Sequence, residues 1–130
     1  MKPGIAKGHT AKVSVTVTEE MCPAFAGEAV HPTMSTVSMV YYMEWAGRQV
    51  ILPFLEEHEE GIGASICIRH SAPAPVGKLV TFYAEATDVS EHKVVCKVWA
   101  EHDRACVGEG TFTQVISPKQ KIMERIHAMR

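Results

Sequence analysis

Only one stretch of this chain, from Thr36 to about Leu55, keeps apolar residues at helical spacing over several turns. Beyond it the chain reads mostly as strand. Ala64–His70, Leu79–Val89, Lys93–His102 and Cys106–Ile116 are rich in β-branched and apolar residues, and turn-forming runs at Ser71–Gly77, Ser90-Glu91 and Asp103-Arg104 separate them. Ahead of the helix, between His9 and Thr18, Val13, Val15 and Val17 alternate with Lys12, Ser14 and Thr16, the period of a half-buried strand. One long helix among long strands implies an α+β fold in which an antiparallel sheet wraps a central helix. Thr33, Ser35 and Thr36 are candidate N-caps for that helix, and Pro53 kinks or ends its last turn. Residues 19–33 hold Pro23, Gly27 and Pro32 and no sustained period, so they form a loop placed to cover a pocket. Ser117-Pro118 reads as an N-cap followed by proline, and Ile122, Met123, Ile126 and Met129 give the last segment an apolar face to dock.

The chain has 130 residues, 46% hydrophobic and 22% charged, which fits a single domain over residues 1–130 with a real core. A formal charge of −2 supplies no broad positive field for a phosphate backbone, so nucleic acid is not the expected partner. Cys22, Cys67, Cys96 and Cys106 form no C-x-x-C pair of a zinc ribbon or redox dithiol, and Cys67 and Cys96 read as small core residues. No secretory apolar region occupies Met1–Gly8, and no apolar run approaches the roughly 18 residues of a membrane span. A reducing cytoplasm is the expected setting, with no membrane partner. The acidic run Glu56-Glu57-His58-Glu59-Glu60 reads as a solvated helix exit rather than a metal site. In Val94-Val95-Cys96 and Val98-Trp99-Ala100 both strand faces carry apolar groups, more than one helix needs, which implies at least a homodimer.

Three residues draw attention as chemistry. Glu44 has Val37, Val40, Tyr41, Gly47, Arg48 and Ile51 three, four or seven positions away, which places it on the expected buried stripe of the helix. An unpartnered buried carboxylate costs several kcal/mol, so such an acid must be paired, neutral or reactive. Pairing with Arg48 one turn on is the bland alternative. Thr36, eight positions earlier, falls near the same face at the helix start, where backbone N–H groups are free to stabilise an oxyanion; taken alone it is a cap. His70 ends a strand in the alternation phase of Ile66 and Ile68, and if that side meets the helix its ring approaches Glu44. A carboxylate and an imidazole at one cleft suit hydrolysis, the acid taking a proton from water while histidine donates or orients.

The segment Ser35-Thr36-Val-Ser-Met-Val-Tyr-Tyr-Met43-Glu44-Trp45-Ala46, followed by Gly61-Ile-Gly63-Ala-Ser-Ile66-Cys67-Ile-Arg-His70-Ser-Ala-Pro-Ala-Pro-Val-Gly77, resembles the hotdog-fold thioesterases related to fluoroacetyl-CoA thioesterase. The Met-Glu-Trp-Ala helix core and the Ile-Cys-x-x-His strand carry the likeness, which continues through Gly108-Glu-Gly110-Thr111 to about Ile116. The resemblance implies that Thr36, Glu44 and His70 act together on an acyl-CoA thioester. In it Glu44 is base or nucleophile, His70 its proton partner and Thr36 a hydrogen-bonding aid. It also implies that the Gly63 backbone helps bind the carbonyl region, and that pantetheine enters along a homodimer boundary. Hydrolysis of a thioester needs no cofactor and no metal.

Two positions depart from the family pattern. The segment ahead of Thr36 has one aromatic ring, Phe25, where the fluoroacetyl enzyme has a phenylalanine-rich lid, and Gln114 stands where that enzyme has an arginine. The implied substrate is therefore a general short or medium acyl-CoA, with Gln114 among the residues that bind it. A non-hydrolytic acyl-CoA binder, a structural dimer with Glu44 bound to Arg48, and a hotdog hydratase or dehydratase are the alternatives, since fold does not fix function.

Overall fold

The computed structural model describes residues 1–130. Its elements run β1 (Thr10–Thr16), β2 (Ala24–Phe25), β3 (Glu28–Ala29), α1 (Thr36–Ile51), β4 (Glu59–His70), β5 (Leu79–Val89), β6 (Lys93–His102), β7 (Ala105–Pro118) and α2 (Lys119–Ala128). Five strands form one antiparallel sheet in the order β1-β5-β6-β7-β4, curled around α1. The expected sheet around a central helix is what forms.

Helix α1 begins where Ser35 caps it, the Ser35 Oγ accepting the Ser38 N–H at 3.0 Å. It ends at Ile51, and Pro53 sits in the tight turn Leu52–Phe54 immediately after it. Its buried stripe is Met39, Met43, Ala46, Gly47, Val50 and Ile51. Against it lie alternate residues of β5 (Val80, Phe82, Ala84) and β6 (Val94, Cys96, Val98, Ala100), with Phe112 and Ile116 from β7. Glycine is required at position 47 because a Cβ there would overlap the Phe112 ring, approaching Cε2 to 2.8 Å. The side chain of Phe112 thereby locks α1 close to β7.

Several sequence expectations are corrected. Residues 19–33 are not plain loop but a short turn, Glu19–Met21, and the small β2–β3 hairpin, reversed through Ala26 and Gly27 at positive φ of 53° and 83°. Cys67 is exposed, because Ile66 and Ile68 take the helix side of β4 and alternation sends Cys67 to the outer face. Strand β7 runs through Ser117 to Pro118, so Ser117 caps nothing, and α2 buries none of its residues. The outward apolar side chains of the sheet are partly covered by each other: Tyr83 and Trp99 stack at 5.2 Å, with Lys97 Nζ 5.2 Å over the indole. Strand β4 is an edge strand, paired only with β7, and its other side is open.

Candidate active site

Glu44 does not lie on the buried stripe. It is exposed, on a neighbouring stripe of α1 with Val37, Tyr41, Trp45 and Arg48, and Val37 is 80% exposed. Both stripes carry apolar residues at helical spacing, so periodicity could not separate them; the sheet chose the methionine stripe. The carboxylate nevertheless rests against protein. A Cβ on Gly63 would stand 2.8 Å from Glu44 Oε2, so the acid lies directly over the main chain of β4. It has no hydrogen-bond or ion-pair partner in the chain.

The expected Glu44–Arg48 pair is absent. Arg48 Nη1 donates instead to Glu60 Oε2 at 2.8 Å, and the same oxygen accepts the Gly61 N–H at 2.8 Å. Their mutual hydrogen bond raises the Arg48 pKa and lowers that of Glu60. The acidic run thus ends in fixed partners, Glu59 taking the N-terminal ammonium at 3.0 Å.

Around Glu44 opens a cleft of about 350 Å³, with Tyr41, Trp45 and Phe112 as aromatic walls and Gly61 and Gly63 as one floor. Gln114 closes it. This side chain is only 2% exposed, and its Nε2 donates to the Gly47 carbonyl at 2.8 Å. A carbonyl needs a donor, so that bond fixes the amide orientation and leaves Oε1 to face Gly61 and the cleft.

Thr36 and His70 meet each other. As the first residue of α1, Thr36 leaves capping to Ser35, and its Oγ1 lies 2.9 Å from Nδ1 of His70, the last residue of β4. When the hydroxyl donates, the neutral ring carries its proton on Nε2. A bulge also matters here: Gly63 pairs with Gln114 and Ser65 with Thr113, leaving Ala64 as the extra residue. Strict alternation would put Gly63 and His70 on opposite faces. The bulge turns both toward the helix.

Within one chain, however, Glu44 and His70 stand apart. Thr36 and Glu44 are eight residues apart on α1, about 12 Å of helix rise, and neither Thr36 nor His70 lines the Glu44 cleft. The structure therefore separates two groups: Glu44 with Gly63 and Gln114, and Thr36 with His70. Sequence reasoning missed the Arg48–Glu60 pair and the aromatic wall. The spacing of Tyr41, Glu44, Trp45 and Arg48 on one helical stripe was the signal for the wall.

A helix held in the concave side of a five-stranded antiparallel sheet, with its polar cleft at the sheet edge, defines a hotdog-fold protein. The chain belongs to the fluoroacetyl-CoA-specific thioesterase family, whose model matches residues 17–120. That family is one of thioester hydrolases. The fluoroacetyl-CoA thioesterase of Streptantibioticus cattleyicolor is 32% identical over 92 residues, which span 71% of this chain and 66% of that relative. A Thermus thermophilus hypothetical protein of the thioesterase superfamily superposes with a TM-score of 0.93 at 38% identity, over 98% of this chain and 94% of that one. A mutant fluoroacetyl-CoA thioesterase in complex with acetyl-CoA superposes at 0.88 with 25% identity, over 95% and 98% of the two chains.

Proposed function

We propose that this protein, a single domain, is a cytoplasmic homodimeric thioesterase that hydrolyses a short or medium acyl-CoA to the free acid and CoA. One observation carries the reading: an ion-pair-free carboxylate, Glu44, set over the bare main chain of Gly63 in an open, aromatic-walled cleft. Four free thiols suit a reducing compartment.

Homodimerisation supplies what each chain lacks. Gly63 marks the place of Glu44 on β4, and His70 marks that of Thr36. Two β4 edges pairing antiparallel about an axis at Cys67, with Ala64 bulged out of the ladder, would bring Gly63 of one protomer opposite His70 of the other. Each complete site then takes Glu44, Gly63 and Gln114 from one chain and Thr36 and His70 from its partner. The thioester carbonyl lies at Gly63, where the bulge interrupts the ladder with β7. Glu44 takes a proton from water, the water oxygen adds to the carbonyl carbon, and the C–S bond breaks. The proton held by Glu44 passes to the departing thiolate, and His70 Nε2–H, held by Thr36, steadies the sulfur with a hydrogen bond as the bond breaks. Tyr41, Trp45 and Phe112 surround the acyl chain, and the Gln114 amide closes its end.

Thiol release from a panel of acyl-CoAs tests the reaction, and loss of turnover in Glu44→Gln and in His70→Ala tests the residues. An enoyl product without free CoA would instead mark a hydratase or dehydratase. Mixing inactive Glu44→Gln and His70→Ala chains tests the shared site, since random re-pairing of equal amounts restores about a quarter of wild-type activity. No recovery would place each site within one chain.

A further inference from the structure

We propose that Glu60 is a positioning residue of this site: by holding the Arg48 guanidinium, it keeps the Glu44 carboxylate free of an ion pair that its own helix would otherwise form. The inference rests on the thioesterase reading for its kinetic consequences, and on geometry alone for the pairing. Glu44 and Arg48 are four residues apart on α1 with the acid N-terminal, the order that favours a pair on a helix. Both line the same cleft.

Arg48 nonetheless bonds across to β4. Its Nη1 meets Glu60 Oε2 at 2.8 Å, and that oxygen is itself tethered by the Gly61 N–H at 2.8 Å, so the acceptor is fixed to the strand before the arginine arrives. Nothing else in the cleft competes for the arginine or for Glu44. Tyr41 and Trp45 on α1, Gly61 and Gly63 on β4, and Phe112 and Gln114 on β7 are all uncharged at neutral pH. The positive charge of Lys119, at the start of α2, also favours the Glu60 anion. Remove Glu60, and the carboxylate that shares the cleft with Arg48 is Glu44, one turn away on the same helix. A carboxylate neutralised by arginine is a weaker base and nucleophile, and such pairing moves a carboxyl titration down by about 1–3 units.

The test uses the full-length protein and its best acyl-CoA substrate. In Glu60→Ala, kcat/KM falls at least roughly fivefold, and the acid limb of its pH profile moves about one unit lower. Adding Arg48→Met to Glu60→Ala returns the acid limb to its original place, a rescue that a merely structural role for Glu60 does not give. A crystal structure of Glu60→Ala, with Arg48 now on Glu44, reads the pairing without any substrate. Glu60→Gln serves the same comparison if the alanine variant does not fold. An unmoved acid limb in a folded variant, or a shift that Arg48→Met does not reverse, overturns the proposal. If the crystal shows the new pair and the wild type cleaves no acyl-CoA, the thioesterase reading fails and the role of Glu60 stands.

Discussion

Gly63 shows how a missing side chain shapes chemistry at the scale of one residue. Alanine there would put a methyl 2.8 Å from Glu44 Oε2, which must move, while the backbone φ is one that any residue adopts. Gly63→Ala is therefore expected to lower thiol release at least roughly tenfold through a displaced carboxylate. Thermal melting should show stability unchanged or slightly raised, since alanine loses less chain entropy than glycine in a strand. Cys96 is a contrasting case. Burial pushes its thiol pKa from 9.0 up to about 11, so the folded state holds the proton more tightly than the unfolded chain does. Its contribution is complete below pH 9 and lost as pH climbs toward 11, which unfolding curves at alkaline pH will show. In the native protein a thiol reagent at neutral pH should modify exposed Cys67 and Cys106 and spare Cys96.

Helix α1 and strand β4 act together as elements. The N-terminus of α1 presents Thr36 to the end of β4, and its third turn presents Glu44 to the start of the same strand, so one antiparallel contact places both groups. That alignment depends on where the helix starts. Ser35→Ala removes the acceptor for the Ser38 N–H and is expected to cost about 1 kcal/mol by urea unfolding, with fraying that loosens the Thr36–His70 bond. The Ala64 bulge does for β4 what the cap does for α1, aiming Gly63 and His70 to one side.

The whole molecule leaves two features unfinished in a single chain: the open edge of β4, and the exposed stripe Val37, Tyr41 and Trp45 beside it. An unpaired strand edge invites another strand. A homodimer formed there would cover both and complete the site, so a charge on the stripe should act through assembly rather than folding. Val37 touches little within its own chain, being 80% exposed. Val37→Glu is expected to halve the molecular mass seen by sedimentation and to abolish most turnover, while the circular dichroism of the monomer stays native.

The sequence by itself determined the main elements and singled out Thr36, Glu44 and His70 as candidates. One helical period among long strand patterns leaves little besides a sheet around a helix, and the Met43-Glu44-Trp45-Ala46 and Ile66-Cys67-Ile68-Arg69-His70 segments fall inside the stretch that the family model matches. Local pattern suffices for both, because spacing along a chain records which residues share a helix or strand. Only the tertiary structure decided which of two apolar stripes on α1 meets the core, and so exposed Glu44. It also decided that a bulge reverses the facing of Gly63, and that Glu60 rather than Glu44 captures Arg48. These depend on contacts between segments distant in sequence, where packing volume and competition for a single guanidinium settle what periodicity leaves open.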